Sequence, residues 1–328
     1  MAKPPRDATY DERLASRQGW LHIAIGVVCN NRCLFCMEED REKRAITNAA
    51  MTPERVRWLL ETERGAPEVC FVAGEPTTRQ ELPTFVAWAR ELGYPRIGVM
   101  TNGRRLSYAP YATALLRAGL NRAYVSLHAH TAELHEGLTR APGSFAQTVA
   151  GIRTMASLRP PGFTLNTSTV VNKRNLPHLG EIYRFLRGLG VDQVVFNVMK
   201  TEGGGETHFE PLFPRYREIA AAFARVCREA GQPRPPTFLV DIPPCTTTAV
   251  PDFNRGFVEH PNRFETRLDH AGSPGEDVAD SPGLARIRHV EGREKRGACA
   301  SCRHDPVCPG VWSGYLARNG WEEFEPVQ

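Results

Sequence analysis

Leu21-His22-Ile23-Ala24-Ile25-Gly26-Val27-Val28-Cys29-Asn30-Asn31-Arg32-Cys33-Leu34-Phe35-Cys36 is the stretch on which the fold turns. Its opening, within residues 20–27, is a short apolar and β-branched run that reads as a strand. The run stops at three closely spaced cysteines, which therefore occupy a loop at the strand's carboxyl end. Five more runs of this texture follow at 68–73, 96–101, 122–128, 164–171 and 193–198. Helix-like segments separate them. One starts at Thr52-Pro53, an N-cap followed by a first-turn proline, and reaches about Arg64; others span 81–92, 109–118, 144–158, 176–189 and 213–230. Strand–helix units in series imply parallel strands, right-handed crossovers and a ligand site at the carboxyl ends of the strands. The expected fold class is α/β, a partial (β/α)6 barrel, since the two further units of a closed eight-fold barrel are not evident. An open doubly wound sheet competes, and periodicity alone does not separate the two.

Beyond residue 231 the texture changes. Gln232-Pro233-Arg234-Pro235-Pro236 is a stiff linker, and residues 256–297 are rich in Gly, Pro, Arg and acidic residues with little periodicity. The expected division is an N-terminal extension 1–19, a strand–helix body 20–231 and a loop-rich module 232–328. A segment so poor in apolar pattern needs a staple, and Cys245, Cys299, Cys302 and Cys308 are the candidates.

The 328 residues are 41% hydrophobic and 24% charged, enough for a large buried core, and no apolar run is long enough to cross a bilayer. The net charge of +4 is scattered, which gives no expectation of nucleic-acid binding. Met1-Ala2-Lys3-Pro4-Pro5 lacks the apolar stretch of a secretory signal, so the expected location is a reducing cytoplasm. There, nine cysteines with six in two tight clusters favour metal over disulfides.

Three thiolates on one loop can converge on one inorganic cluster. A [4Fe–4S] cluster normally takes four cysteines, so three leave one iron open to an outside ligand, as a catalytic zinc leaves one position for water. Zinc prefers CxxC pairs completed by another Cys or His and fits less well. CxxxCxxC with Phe35 before its last cysteine resembles the signature of the radical S-adenosylmethionine (SAM) enzymes. Ala73-Gly74-Glu75-Pro76 is similar to the family's glycine-glutamate-proline motif, with Ala73 in place of the first glycine. Val99-Met100-Thr101-Asn102-Gly103 and Val125-Ser126-Leu127-His128 also resemble family patterns, and the likeness covers roughly residues 21–198.

That resemblance implies a SAM-binding [4Fe–4S] cluster on Cys29, Cys33 and Cys36, with the methionyl amine and carboxylate of SAM on the fourth iron. One electron would cleave the sulfonium bond, and the 5′-deoxyadenosyl radical so formed would abstract hydrogen from substrate. Phe35 falls where the family places an aromatic near adenine, although a loop phenylalanine is also a packing residue. The backbone of Gly74 and Glu75 would receive the methionyl group. Thr101 and Asn102 are expected at ribose or adenine, against the simpler reading of a Thr-Asn-Gly turn. Ser126 and His128 share a strand face, which would bring Ser126 to SAM and give His128 the catalytic position next to substrate. Arg140 would pair with the SAM carboxylate or lie exposed before a turn. His128-Ala129-His130 with His135 also matches an HxH metal pair, but on the fourth strand a turn or substrate role fits better.

Cys299-Ala300-Ser301-Cys302-Arg303-His304-Asp305-Pro306-Val307-Cys308 with Cys245 supplies four thiolates, enough to close a cluster without a vacancy. CxxC-x5-C resembles the auxiliary-cluster modules called SPASM and twitch. The full SPASM pattern continues to another cysteine where this chain has Trp312, so one auxiliary [4Fe–4S], as in the twitch form, is implied. A structural zinc on the same thiolates competes, with His304 able to replace one of them. Cys70 and Cys227 read as buried small apolar residues, and the aromatics of 311–324 as packing over the module.

The expected function is hydrogen abstraction from a peptide or small natural-product substrate, an oxidoreductase or maturase type of reaction. The auxiliary cluster would aid oxidation, crosslinking or substrate binding, and flavodoxin or ferredoxin would donate electrons. No leader-peptide recognition domain is evident before Trp20. The molybdopterin-pathway member of the family ends in paired glycines, whereas this chain ends in Pro326-Val327-Gln328, an expectation against that identity. The competing class is an iron–sulfur electron-transfer or regulatory protein without SAM chemistry, which would need no Gly-Glu-Pro loop.

Overall fold

The computed structural model describes residues 21–25, 28–38, 51–230, 237–249, 266–267, 292–305, 308 and 310–328. The extension 1–19, the proline linker and all of 268–291 lie outside the described residues.

Strands β1 (Leu21–Ala24), β2 (Val69–Val72), β3 (Ile97–Thr101), β4 (Arg122–Ser126), β5 (Thr164–Val171) and β6 (Gln193–Val198) fall inside the six expected runs. Each pairs in parallel with the next. Helices α1 (Pro53–Thr62), α2 (Leu82–Glu91) and α3 (Ala109–Ala118) cross between the first four strands. Two helices, α4 (Ala132–Thr139) and α5 (Ser144–Leu158), separate β4 from β5, and α6 (Leu179–Gly188) follows β5. After β6 come two single turns, α7 (Gly204–Thr207) and α8 (Phe209–Leu212), and then α9 (Tyr216–Glu229). The short α4 escaped the sequence reading; Thr131 caps it, its hydroxyl accepting from Leu134 N–H at 3.4 Å.

A seventh strand, β7 (Thr237–Val240), extends the sheet beyond β6, and the two-residue β8 (Thr266–Arg267) pairs with β1 at the opposite edge. The four residues of β7 follow a proline run and carry too little pattern to register as a unit. The strand order, β7-β6-β5-β4-β3-β2-β1-β8, leaves the sheet open. From β1 to β7 it advances in one direction with no switch point, so right-handed crossovers put every connecting helix on the same face. The fold is thus a partial barrel and not a doubly wound sheet.

Alternation along the strands separates two faces. Ile23, Phe71, Val99, Val125, Leu165, Val194 and Phe196 enter the main apolar core with the helices, each burial contributing roughly 1.5–3 kcal/mol. The register places the other set, including His22, Cys70, Met100, Tyr124, Ser126, Ser168 and Asn197, on the inner face. There Ala24, Cys70, Val72 and Tyr124 form a separate small cluster, and Cys70 is fully buried as expected. Cys227 on α9 is half-buried against the main core.

In the C-terminal part, β9 (Arg293–Glu294) pairs antiparallel with β10 (Val311–Trp312), and α10 (Ser313–Asn319) follows. Its aromatics dock on the body: Tyr315 lies edge-on to Tyr216 at 4.6 Å and contacts Phe209, Phe213 and Phe324. Arg215 on the body donates to Asn319 at 2.6 Å. No helix among the described residues is long and apolar enough to cross a membrane.

Candidate active site

The cysteine loop leaves the carboxyl end of β1, and its backbone is held from outside. Arg32 N–H donates to the Thr139 carbonyl at 2.8 Å and Leu34 N–H to the Leu138 carbonyl at 3.0 Å, so the loop satisfies two of the free carbonyls at the end of α4. Cys29, Cys33 and Cys36 are all half-buried. Burial raises the Cys33 thiol above its ordinary range, and the neighbouring thiols of Cys36 and Cys29 add to the shift. Cys33 thus shares one electrostatic site with Cys36 and Cys29, and becomes a thiolate only with a compensating cation. That donor set fits three corners of a [4Fe–4S] cluster.

Glu75 is the hub of the adjoining loops. Fully buried, it accepts from Thr77 N–H at 3.0 Å, Thr77 Oγ1 at 2.5 Å, Thr101 Oγ1 at 2.5 Å and Asn102 N–H at 2.6 Å. Burial pushes its carboxyl above the usual range, and these four donors oppose the shift. Its own N–H donates to the Val28 carbonyl at 3.0 Å, joining the hub to the cysteine loop. Before it, Ala73 and Gly74 both have positive φ, 71° and 50°, so Ala73 occupies a backbone position that costs any residue with a Cβ. Gly74 N–H donates to a Glu38 carboxylate oxygen at 2.6 Å.

Thr101 and Asn102 are committed to this framework. The Thr101 hydroxyl also accepts from Gly103 N–H at 2.9 Å, and Asn102 Nδ2 donates to Asn30 Oδ1 at 2.6 Å. Arg104 donates to the Asn30 carbonyl and, at 2.9 Å, to Asn31 Oδ1. These bonds clamp the loop after β3 onto the cysteine loop.

Ser126 ends β4 half-buried on the inner face. His128 is buried, with Phe35 edge-on at 4.8 Å and His135 stacked at 5.7 Å. Its Nδ1 accepts from Val170 N–H at 3.2 Å, which leaves the proton on Nε2. Its own N–H donates to His135 Nδ1 at 3.2 Å. Burial lowers His128 to about 3, with the His135 charge adding, and burial lowers His135 to about 4. Both rings are neutral at neutral pH, and His128 underpins Phe35. Arg140 is exposed in a left-handed conformation, φ 51°, one residue past the Thr139 carbonyl that holds the loop.

The sequence reading missed Gly203-Gly204-Gly205. Gly204 N–H donates to the Cys36 carbonyl at 2.8 Å. A Cβ on Gly203 would lie 2.6 Å from the Met37 oxygen, and one on Gly204 2.5 Å from the Leu34 oxygen. This close backbone approach requires glycine, and three consecutive glycines just after a strand were the available signal.

In the C-terminal part, Cys245, in the turn after β7, lines one cavity with Cys299, Cys302 and Cys308. Burial pushes the Cys245 thiol up to about 12, with Cys308 and Cys302 adding. Val327 N–H donates to Cys302 Sγ at 3.3 Å and Gly310 N–H to Cys308 Sγ at 3.4 Å, contacts of the kind that tune cluster thiolates. His304 Nε2 accepts from Arg303 Nε–H at 3.2 Å.

Against known proteins, the sequence pattern of the Radical SAM superfamily matches residues 23–186, half of the chain. A "Probable GTP 3',8-cyclase" of Sulfurisphaera tokodaii is 28% identical over 213 residues, 64% of this chain and 63% of the relative. A protein of the same name from Metallosphaera sedula is 30% identical over 192 residues, 58% of each chain. The chain therefore spans about three fifths of these relatives. The structure resembles Streptococcus suis SuiB bound to S-adenosylmethionine, with TM-score 0.63 and 16% identity over 96% of this chain and 78% of that one. It also resembles native anSMEcpe with bound AdoMet and a Cp18Cys peptide, with TM-score 0.57 and 13% identity over 94% and 92%. At these identities the likeness speaks for the fold. The three-thiol loop after β1, the buried glutamate hub after β2 and the sequence match agree with one another, and on them the chain belongs to the radical SAM superfamily, enzymes that use a [4Fe–4S] cluster and SAM.

Proposed function

We propose that this chain cleaves SAM at a cluster held by Cys29, Cys33 and Cys36, abstracts hydrogen from a peptide or small natural product, and carries an auxiliary [4Fe–4S] on Cys245, Cys299, Cys302 and Cys308. When bound, the first cluster supplies the electron that cleaves the sulfonium and so generates the hydrogen-abstracting radical. The chain's residues do the positioning. Phe35, braced by His128, offers a face for adenine; the Ala73–Glu75 backbone receives the methionyl end; Ser126 meets SAM from the inner face; and Arg140 reaches the carboxylate. With its ring held beneath Phe35, His128 acts on substrate only through that support. Fixing these groups on strand ends keeps the reacting atoms in register and excludes competing hydrogen donors.

The observation that carries the auxiliary-cluster reading is Cys245. It lies more than fifty residues before Cys299, yet it lines the same cavity, completing a four-thiol set at the carboxyl ends of the strands where the first cysteine loop also sits. Such a set closes a cluster without a vacancy, and that cluster would aid oxidation, crosslinking or substrate binding. A second reading, with GTP as substrate, draws support from the names of the sequence relatives. A cytoplasmic setting with flavodoxin or ferredoxin as electron donor belongs to this proposal.

Anaerobic reconstitution tests it. About eight irons per chain are expected, together with 5′-deoxyadenosine after dithionite and SAM. Absence of the nucleoside refutes the SAM chemistry, and zinc at the second site in anaerobically purified protein refutes the auxiliary cluster.

A further inference from the structure

The inner face of the barrel is chemically divided. On β1–β3 it is mainly apolar, with Ala24, Val72 and Met100 beside the buried His22. On β4–β6 it carries Ser126, Ser168 and Asn197, all half-buried and so open to the barrel interior. Among the described strand residues of β1–β7 on this face, Arg122 is the single full charge. It is neutralised at the amino ends by buried Glu68, at 2.9 Å, which also accepts from Tyr124 OH at 3.1 Å and faces Arg96 at 3.5 Å. This ionic group closes the floor, and above it the described strand residues of this face carry no charge.

We propose that Ser168 and Asn197 form a subsite for an uncharged hydrogen-bonding group of the substrate, an amide or a hydroxyl. Asn197 Nδ2 donates to Ser168 Oγ at 2.6 Å. That bond fixes both side chains and directs the Asn197 Oδ1 acceptor and the Ser168 O–H donor to the interior. A neighbouring acceptor and donor on adjacent strands match the N–H and C=O of an amide, or one hydroxyl acting both ways. A phosphate or carboxylate there would be desolvated with no counter-charge among the described strand residues around it, at a cost far above that of a satisfied neutral group. The subsite rests on the reading that substrate enters the barrel of a SAM-cleaving enzyme. It implies that the reacting end of that substrate is neutral, whatever charge its remainder carries outside the strands.

The test uses anaerobically reconstituted, SAM-loaded enzyme and saturation-transfer NMR with three probes: N-acetylglycine methylamide, methyl α-glucoside and inorganic triphosphate. One of the neutral probes is expected to bind, and Ser168→Ala and Asn197→Leu are each expected to weaken it roughly tenfold. Which probe binds separates the amide from the hydroxyl. Asn197→Asp, close to isosteric, should weaken it as well, and iron content checks that each variant is folded. The proposal is overturned if neither neutral probe binds, if binding survives the substitutions unchanged, or if triphosphate binds and is lost in these variants. Production of 5′-deoxyadenosine by the same preparations reports separately on the SAM-cleavage reading.

Discussion

Gly204→Ala is the sharpest perturbation of the first cluster site, because it touches no cysteine. The added Cβ lies 2.5 Å from the Leu34 carbonyl oxygen and 3.1 Å from Cys36 N, where ordinary contact begins near 3.4 Å. About 0.9 Å must be found by moving one backbone against another, and close-packed interiors resist such movement. Overpacking of this kind costs about 1–3 kcal/mol, and loss of the Gly204 N–H bond to the Cys36 carbonyl adds about 1 kcal/mol. The strain falls on the loop carrying Cys33 and Cys36 and not on the core. Stability should therefore fall modestly, while iron at the first site falls at least severalfold and 5′-deoxyadenosine with it. Measuring iron in a Cys302→Ala background isolates the first site. Gly188→Ala is the control, since nothing lies within 4 Å of its Cβ. Full iron loading and normal SAM cleavage in Gly204→Ala would refute the claim that this glycine turn forms the wall of the cysteine loop.

Cys245→Ala should lower iron from about eight to about four per chain and leave the first cluster's SAM-dependent spectrum in place; iron analysis with electron paramagnetic resonance decides. Cys33→Ala should do the reverse and abolish cleavage. Ala73→Gly should relieve the positive φ of 71° and raise stability by up to about 1 kcal/mol, read from the urea midpoint. His128 and His135, lowered to about 3 and about 4 from 6.5, stay neutral when folded but take up protons when unfolded. The metal-free chain should therefore be fully stabilised by them above pH 6.5 and lose about 1.4 kcal/mol per pH unit for each histidine as pH falls toward 4. His135→Phe should roughly halve that slope.

The sequence revealed the elements whose pattern is local. The six strands and most helices are legible because apolar period, caps and terminal glycines lie within single segments, and the cysteine triplets because thiol spacing is itself chemical. What stayed hidden depends on packing between segments distant in sequence. β7 has four residues and, among the described residues, only the single 3-10 turn Pro244–Thr246 directly after it, so its pairing with β6 is what identifies it. Thr101 and Asn102 read naturally as ligand contacts at a strand end, yet their bonding groups are used by Glu75, Asn30 and Gly103. His128 has the right position for a substrate contact, but only the placement of Phe35 and Val170 shows it buried. Strand order likewise decides between partial barrel and doubly wound sheet, and no single segment contains it.

The C-terminal part bears on the first cysteine loop as well as on its own. Arg318 on α10 donates to Glu206 on α7 at 2.6 Å, and a Cβ on Gly314 would meet Thr201 and Glu206 at 2.9 Å. Residues 200–207 are thus held between α10 and the cysteine loop, with Gly204 bonded to Cys36. The loop is then braced from four elements, namely the glutamate hub after β2, the end of α4, the turn after β3 and this glycine turn, and all but the contacts to the Asn30 and Asn31 side chains act on its backbone. Asn30 and Asn31 carry the side-chain part of that brace, accepting from Asn102 and Arg104, and loosening α10 would disturb a cluster whose ligands it never touches.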